Sequence, residues 1–473
     1  MRLYCWILVL CSFLGLSKYV YAGIHNVPII IQAAQLRPVL LHPLVQYRLF
    51  RNNNGAALPI PFQIDQKDKY SDYILESGKN PNTKSSNGLF NAQDELCIMG
   101  NDVGIKQVPT KWDFKKPDIL YEIDFSLLSA VGKSNAPHEG AVYLGIYYKD
   151  APPLAKETYV RFDLDNAQII TSRYRYLFNS KNYLVVRGID VEKPQGEEQI
   201  IMSSAVYMRL DMKYFLTLNL GHSDIESELD AYKIGPVRVI ARVNFDYKIL
   251  KMKFDLGMYT EVSFFSNSVN LPAVIDNPLD GKKSLNKGSY FYYGLALVDN
   301  PKDLEPQSNM PDFKGKGGFF SFKEPTPQGF YWASAKSEKY AIYLEFQPSK
   351  QMEKDGNIPY MYVESVGKED LQTRKNGPLP LGESPVNVAV SFDLDNFRMG
   401  VHQVAFRVFI ENNKAESVLE EFKTLKDWRI GAQRLDLGTT ISKEVPKAAP
   451  TPKKTPAKKA APAKKASPAK SKN

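Results

Sequence analysis

Val243-Asn244-Phe245-Asp246-Tyr247-Lys248-Ile249-Leu250-Lys251-Met252-Lys253-Phe254-Asp255-Leu256 is the stretch that decides the fold class. Apolar side chains alternate with polar ones throughout, first at 243, 245, 247 and 249, then at 250, 252, 254 and 256. A period of two suits an extended chain with one face buried. The slip of one residue at Ile249-Leu250 would throw the second set onto the opposite face, so a bulge or bend is predicted there, within a long strand segment running from Val237 to Leu271.

The same alternation recurs on both sides. Ile119-Leu120-Tyr121-Glu122-Ile123-Asp124-Phe125, Ala141 to Tyr148, Tyr183 to Ile189, Tyr340-Ala341-Ile342-Tyr343-Leu344-Glu345-Phe346 and Val404 to Ile410 all read as strands. With 27 tyrosines and 25 phenylalanines, the aromatic supply favours pleated, half-buried segments. The expected fold is mainly β: a large β-sandwich, or two packed β-sandwich domains. One helix is predicted, near the C-terminus, from apolar residues at 418, 419, 422 and 425 within Glu416–Lys426, with Trp428 and Ile430 as the last anchors of the body.

The two ends differ from this body. Arg2 and the apolar run Trp6 to Leu16 lead to Val20-Tyr21-Ala22, the layout of a signal peptide cleaved before Gly23. A run of about 11 apolar residues is too short to span a bilayer, which takes roughly 20. Cys11 follows a bulky Leu10, whereas lipoprotein processing wants a small residue there. Cleavage would leave Cys97 as the single cysteine of the mature chain, read as a small buried apolar residue. From Lys443 to Asn473 the chain turns to Lys, Ala and Pro, a composition that predicts a disordered tail. The expected organisation is therefore a signal peptide at 1–22, an N-terminal β domain at 23–235, a C-terminal β-sandwich domain at 236–442 and a basic tail at 443–473.

Charge follows the same division. The tail carries ten lysines against the single acid Glu444, and Arg2 with Lys18 add two positive charges in the leader. Since the whole chain is only +9, the body from Gly23 to Ser442 is close to −2. No run within it mixes clustered Lys/Arg with aromatics, so nucleic acid is not an expected partner. The tail reads as a salt-sensitive counter-charge for an anionic envelope polymer. The expected location is periplasmic or extracellular, with no transmembrane span once the signal is removed.

Three long polar breaks, at residues 66–94, 299–318 and 367–385, leave room for a concave site. Phe162-Asp163-Leu164-Asp165-Asn166 recurs as Phe392-Asp393-Leu394-Asp395-Asn396, consistent with two related β units. Asp163, Asp165, Asp393 and Asp395 are oxygen donors of the kind Ca²⁺ takes, or else turn residues bonding their own backbone. No other cofactor is implied. No metal, haem, nucleophile-elbow or nucleotide-loop motif occurs among the histidines, cysteines and glycines. A polysaccharide lyase would need only a base and a cation to hold a uronate carboxylate, which makes His138, His222, His402, Arg238 and Arg242 the catalytic candidates. Alternation through Tyr290-Phe291-Tyr292-Tyr293, together with Phe330-Tyr331-Trp332, offers Tyr290, Tyr292, Tyr331 and Trp332 as ring-stacking candidates for a sugar or a partner subunit.

Two stretches carry a resemblance. Leu58-Pro59-Ile60-Pro61-Phe62-Gln63-Ile64-Asp65, followed by Gly88-Leu89-Phe90 and Asp94-Glu95-Leu96-Cys97-Ile98-Met99-Gly100-Asn101-Asp102-Val103-Gly104, resembles an N-terminal β-domain signature of secreted bacterial envelope proteins, some of them glycan-associated. Gly235-Pro236-Val237-Arg238-Val239 with Gly288-Ser289-Tyr290 is similar to segments of large sugar-associated β-sandwiches. The resemblance implies a bacterial exported protein and fixes no chemistry. The leading expectation is a non-catalytic envelope or extracellular protein that binds a glycan or a protein partner. The alternative is a polysaccharide-active enzyme, a lyase or hydrolase.

Overall fold

The computed structural model describes residues 27–127, 139–193, 196–214, 216–221, 224–249, 252–277, 280–298, 305–310, 313, 318–322, 326, 329–337, 340–357, 359–363, 388–412 and 428–435. The helix expected at Glu416–Lys426, the signal peptide, the tail and the break at 367–385 lie outside these residues.

The fold is mainly β, with large antiparallel sheets and few short helices. Two four- to five-residue helices occur among the described residues, Gly281–Ser284 and Lys350–Lys354, each started by a side chain that accepts a backbone N–H: Asp280 from Lys283, and Ser349 from Met352. No described helix is long and apolar enough to cross a membrane.

Most strands join one hydrogen-bonded circuit with two broad walls. One wall is built by Val160–Asp163, Gln168–Thr171, Tyr174–Asn179, Asn182–Lys193, Gly196–Asp211, Tyr290–Leu297, Val388–Asp393 and Tyr360–Val363. The other runs through Ile225–Ile234, Val239–Ile249, Met252–Phe264, Ser268–Asn277, Gly400–Asn412, Tyr340–Gln347 and Tyr331–Lys336. Aromatic rings fill the space between the walls. Tyr176 meets Phe264 edge-on at 4.9 Å, and Phe346 stacks on Phe392 at 5.5 Å.

The phase slip at Ile249-Leu250 has a different cause from the expected bulge. Val239–Ile249 and Met252–Phe264 are separate antiparallel strands with Ile249 opposite Met252, so the chain reverses where the alternation slips. A register irregularity does occur, but between Phe245 and Tyr247.

The N-terminal residues form two smaller sheets outside this circuit. Pro28–Gln32, Glu95–Met99 and Gln63–Asp65 make a three-stranded sheet. Ala56–Pro59, Tyr47–Asn53, Glu139–Ile146 and Ile119–Leu127 make a second sheet, and the C-terminal strand Trp428–Leu435 completes it against Ile119–Leu127. Both bury apolar faces against the outer side of one wall. Leu49, Ile64, Leu96, Ile98, Ile123 and Leu144 share a core with Trp332, Tyr343 and Phe409.

Candidate functional site

The residues of the N-terminal signature meet the large wall at a buried ion network. Arg238 stands just before the strand Val239–Ile249 and is 1 % exposed. Its Nη2 lies 2.7 Å from Asp65 Oδ2 and 2.7 Å from Glu95 Oε2, while its Nε donates to Asp65 Oδ2 at 2.8 Å. Asp65 and Glu95 sit opposite each other on neighbouring strands, which places both carboxylates on one guanidinium. Gln63 completes the clamp by accepting the Arg238 backbone N–H at 3.1 Å and donating to Asp65 Oδ1 at 2.7 Å.

Two lysines flank this centre. Lys233 Nζ lies 3.2 Å from Asp65 Oδ1, and Lys67 Nζ lies 2.5 Å from Glu95 Oε1. Tyr73 donates its hydroxyl to Glu95 Oε2 at 2.8 Å and holds its ring 4.9 Å from the Arg238 guanidinium. Burial alone would raise both acids. Arg238 and Lys233, with hydrogen bonds from Gln63 and Arg238, nevertheless hold Asp65 below its ordinary value. Arg238 and Lys67 likewise bring Glu95 down to about 2. Neither carboxyl has a proton to give at neutral pH, and Arg238 is driven further from deprotonation by the acids beside it. The arrangement is an electrostatic clamp.

Arg242 lies nearby and is also occupied. It pairs with Glu261 at 2.7 Å and donates to the Tyr73 carbonyl at 3.2 Å, while the Tyr73 N–H donates to Glu261 Oε2 at 3.2 Å. The polar break at 66–94 is thus a strap over the two arginines. Ser77–Gly78 adds a short strand beside Ala231 and Tyr232, and Asn80 donates its side-chain amide to Asp230 at 2.6 Å. Inside the clamp, Cys97 is fully buried, and burial pushes its thiol up to about 12.

Two further signature residues sit on the same sheets. Asp94 accepts the backbone N–H groups of Lys67 at 3.0 Å and Asn91 at 2.6 Å, fixing the turn into the strand Glu95–Met99. Asp102 accepts the Tyr159 hydroxyl at 2.8 Å. Burial raises this carboxyl to about 6, against the lowering effect of Tyr159 and Arg51.

The other candidates are scattered. His402 is buried and stacks on Phe397 with ring centroids 4.0 Å apart. Its Nε2 faces the Arg398 carbonyl at 2.9 Å and its Nδ1 faces Ser349 Oγ at 3.5 Å. His138 and His222 lie outside the described residues. Asp163 closes a hairpin turn, accepting from the Asn166 backbone and side chain and from Gln168 at 2.8–3.2 Å, and Asp165 beside it is exposed. Asp393 accepts the Tyr360 hydroxyl at 3.1 Å, and Asp395 lies at the same strand end. No group of three or more His, Cys, Asp or Glu among the described residues is placed to hold a metal ion.

The ring-stacking candidates do not face solvent as alternation suggested. Tyr290, Tyr292, Tyr331 and Trp332 are all buried. Their strands are central and covered on both faces: Tyr293 enters the core between the walls, while Tyr290 and Tyr292 pack on the other side with Ala205, Tyr362 and Ala389. Tyr331 and Trp332 divide in the same way between the inner core and the core under the N-terminal sheets.

No protein-family model matches the chain, and no curated protein matches it. Among solved structures it is similar to an alpha-mannosidase from Enterococcus faecalis V583, at 7 % identity and a TM-score of 0.42 over 87 % of this chain and 44 % of that one. A glycosyl hydrolase family 38 protein from Enterococcus faecalis gives 7 % identity and a TM-score of 0.41 over 87 % and 46 %. The chain spans less than half the length of either.

Proposed function

We propose that this chain is a carbohydrate-directed β-protein of the exported bacterial class, which acts by binding a glycan or a protein partner. The observation that carries the reading is the state of the lyase candidates among the described residues. Arg238 is enclosed by Asp65 and Glu95, Arg242 is paired with Glu261, and His402 is packed on Phe397. A lyase needs a base and a carboxylate-holding cation that converge on an open position. These three side chains do not converge on one. On this reading the signature residues build the platform, and recognition is left to the surface. The lysine-rich tail would associate with anionic envelope polymer.

A glycan array followed by product analysis tests the reading. The expected result is retention of at least one glycan with no new reducing ends and no unsaturated uronate. Release of either product would overturn it in favour of a polysaccharide-active enzyme. One observation favours that second reading: Asp102, raised to about 6 beside Tyr159, has a protonation range suited to a general acid. Loss of product release in Asp102→Asn would then identify the acid. Export is tested by intact mass, with a mature chain expected to begin at Gly23. Envelope fractionation with and without residues 443–473 tests the tail.

A further inference from the structure

The segment Gly88-Leu89-Phe90 of the signature holds an unusual turn on the protein surface. Leu41 has φ +67° although it is neither glycine nor asparagine, a conformation that costs about 1–2 kcal/mol for a side chain with a Cβ. Its side chain is 69 % exposed, so no packing compensates for that cost. The turn is held by its backbone. Leu41 N–H donates to the Phe90 carbonyl at 2.9 Å, Phe90 N–H donates back to the His42 carbonyl at 3.1 Å, and Leu44 N–H donates to the Gly88 carbonyl at 3.0 Å.

This clamp sets the position of His42. Its ring lies 6.2 Å from the ring of Tyr148 at 40° and meets Tyr47 edge-on at 6.3 Å. Neither ring nitrogen of His42 has a hydrogen-bond partner among the described residues, and the same holds for the Tyr148 hydroxyl. Tyr148 is 54 % exposed, and its backbone is tied down by the Asp118 carboxylate, which accepts its N–H at 2.7 Å. Partial burial lowers the pKa of His42, so at neutral pH the ring is uncharged and presents one donor and one acceptor.

An exposed aromatic ring beside unpartnered polar atoms suits a pyranose ring. Its apolar face stacks on an aromatic face, and its hydroxyls both donate and accept. An apolar protein partner would leave the imidazole nitrogens unpaired, at a cost. We infer that Tyr148 and His42, framed by Leu41, form a binding subsite for one pyranose residue of a glycan, with Tyr148 stacking on the ring and His42 hydrogen-bonding its hydroxyls. This subsite rests on the binding reading above and gives it a location.

The test uses the full-length protein on immobilised neutral hexopyranose and uronate oligosaccharides, with Tyr148→Ala, Tyr148→Phe and His42→Gln compared at matched thermal midpoints. Tyr148→Ala and His42→Gln are each expected to weaken retention about tenfold, while Tyr148→Phe retains most of it. Retention unchanged in both Tyr148→Ala and His42→Gln would overturn the subsite and leave the binding reading standing. An intact protein that retains no glycan would overturn both.

Discussion

Arg238 and Glu95 meet at 2.7 Å across 143 positions of sequence, and Asp65 reaches the same guanidinium nitrogen from the neighbouring strand. The three side chains, each at most 5 % exposed, fasten the N-terminal sheet to the large wall. Removing one partner from such a set leaves the others charged and buried. Arg238→Met is therefore expected to cost about 3–5 kcal/mol in chemical denaturation. Adding Asp65→Asn and Glu95→Gln to that variant should recover part of the loss, because no uncompensated acid then remains at the centre, although Lys67 and Lys233 lose these partners.

Acid should loosen the same contact. Glu95 has a folded pKa of about 2 against 4.5 for the free side chain, so its stabilising contribution is complete above about pH 4.5 and disappears as the pH falls through 2. A shift of that size corresponds to roughly 3 kcal/mol. Thermal unfolding measured from pH 7 to pH 2 should show the drop below pH 4.5. Glu95→Gln should start lower at pH 7 and fall less steeply over that window.

Asp102 works in the opposite sense. Its folded value of about 6 lies above the ordinary 3.8, so the neutral acid is the form that suits the site. The stability this confers is complete below about pH 3.8 and is lost as the pH rises through 6. Asp102→Asn, which keeps an acceptor for Tyr159 and carries no charge, should raise the midpoint at pH 7. The gain should vanish near pH 4.

Gly235 and Cys97 test the packing of the clamp. A Cβ at Gly235 would fall 1.9 Å from Gln63 Oε1, and Gln63 cannot swing away without releasing both Asp65 and the Arg238 N–H. Gly235→Ala should cost roughly 1–3 kcal/mol in denaturant unfolding, the usual range for overpacking. Cys97, buried with its thiol held protonated, should resist a thiol-specific reagent in the native state and react fully in denaturant.

The strands were legible because their alternation is local. Val237 to Leu271 reads as strand, but it forms three antiparallel strands, and the reversals after Ile249 and after Phe264 needed the partner strands to be known. What covers each face was not legible. Tyr290 and Tyr292 do point away from Tyr293, as a period of two requires, yet their side of the sheet is covered as well. The network around Arg238 left a partial trace, since Asp65, Glu95 and Arg238 are charges set among apolar strand residues. Its partners stand 143 and 173 positions from Arg238, and no local pattern encodes such a pairing. His42 and Tyr148 carry no motif at all. They become neighbours only because two separate segments are pinned beside each other.

The strand that completes the second N-terminal sheet is supplied by the far end of the chain. Gln433 donates to Glu122 at 3.2 Å over 311 positions, and Glu122 is otherwise a buried acid that accepts the Tyr143 hydroxyl at 3.1 Å. Synthesis proceeds from the N-terminus, so Ile119–Leu127 must wait with an open edge until Trp428–Leu435 has been made. A nascent chain that stalls short of residue 428 exposes a ready template for aggregation. Ile119–Leu127 is thus made early and paired on this edge only near the end of synthesis.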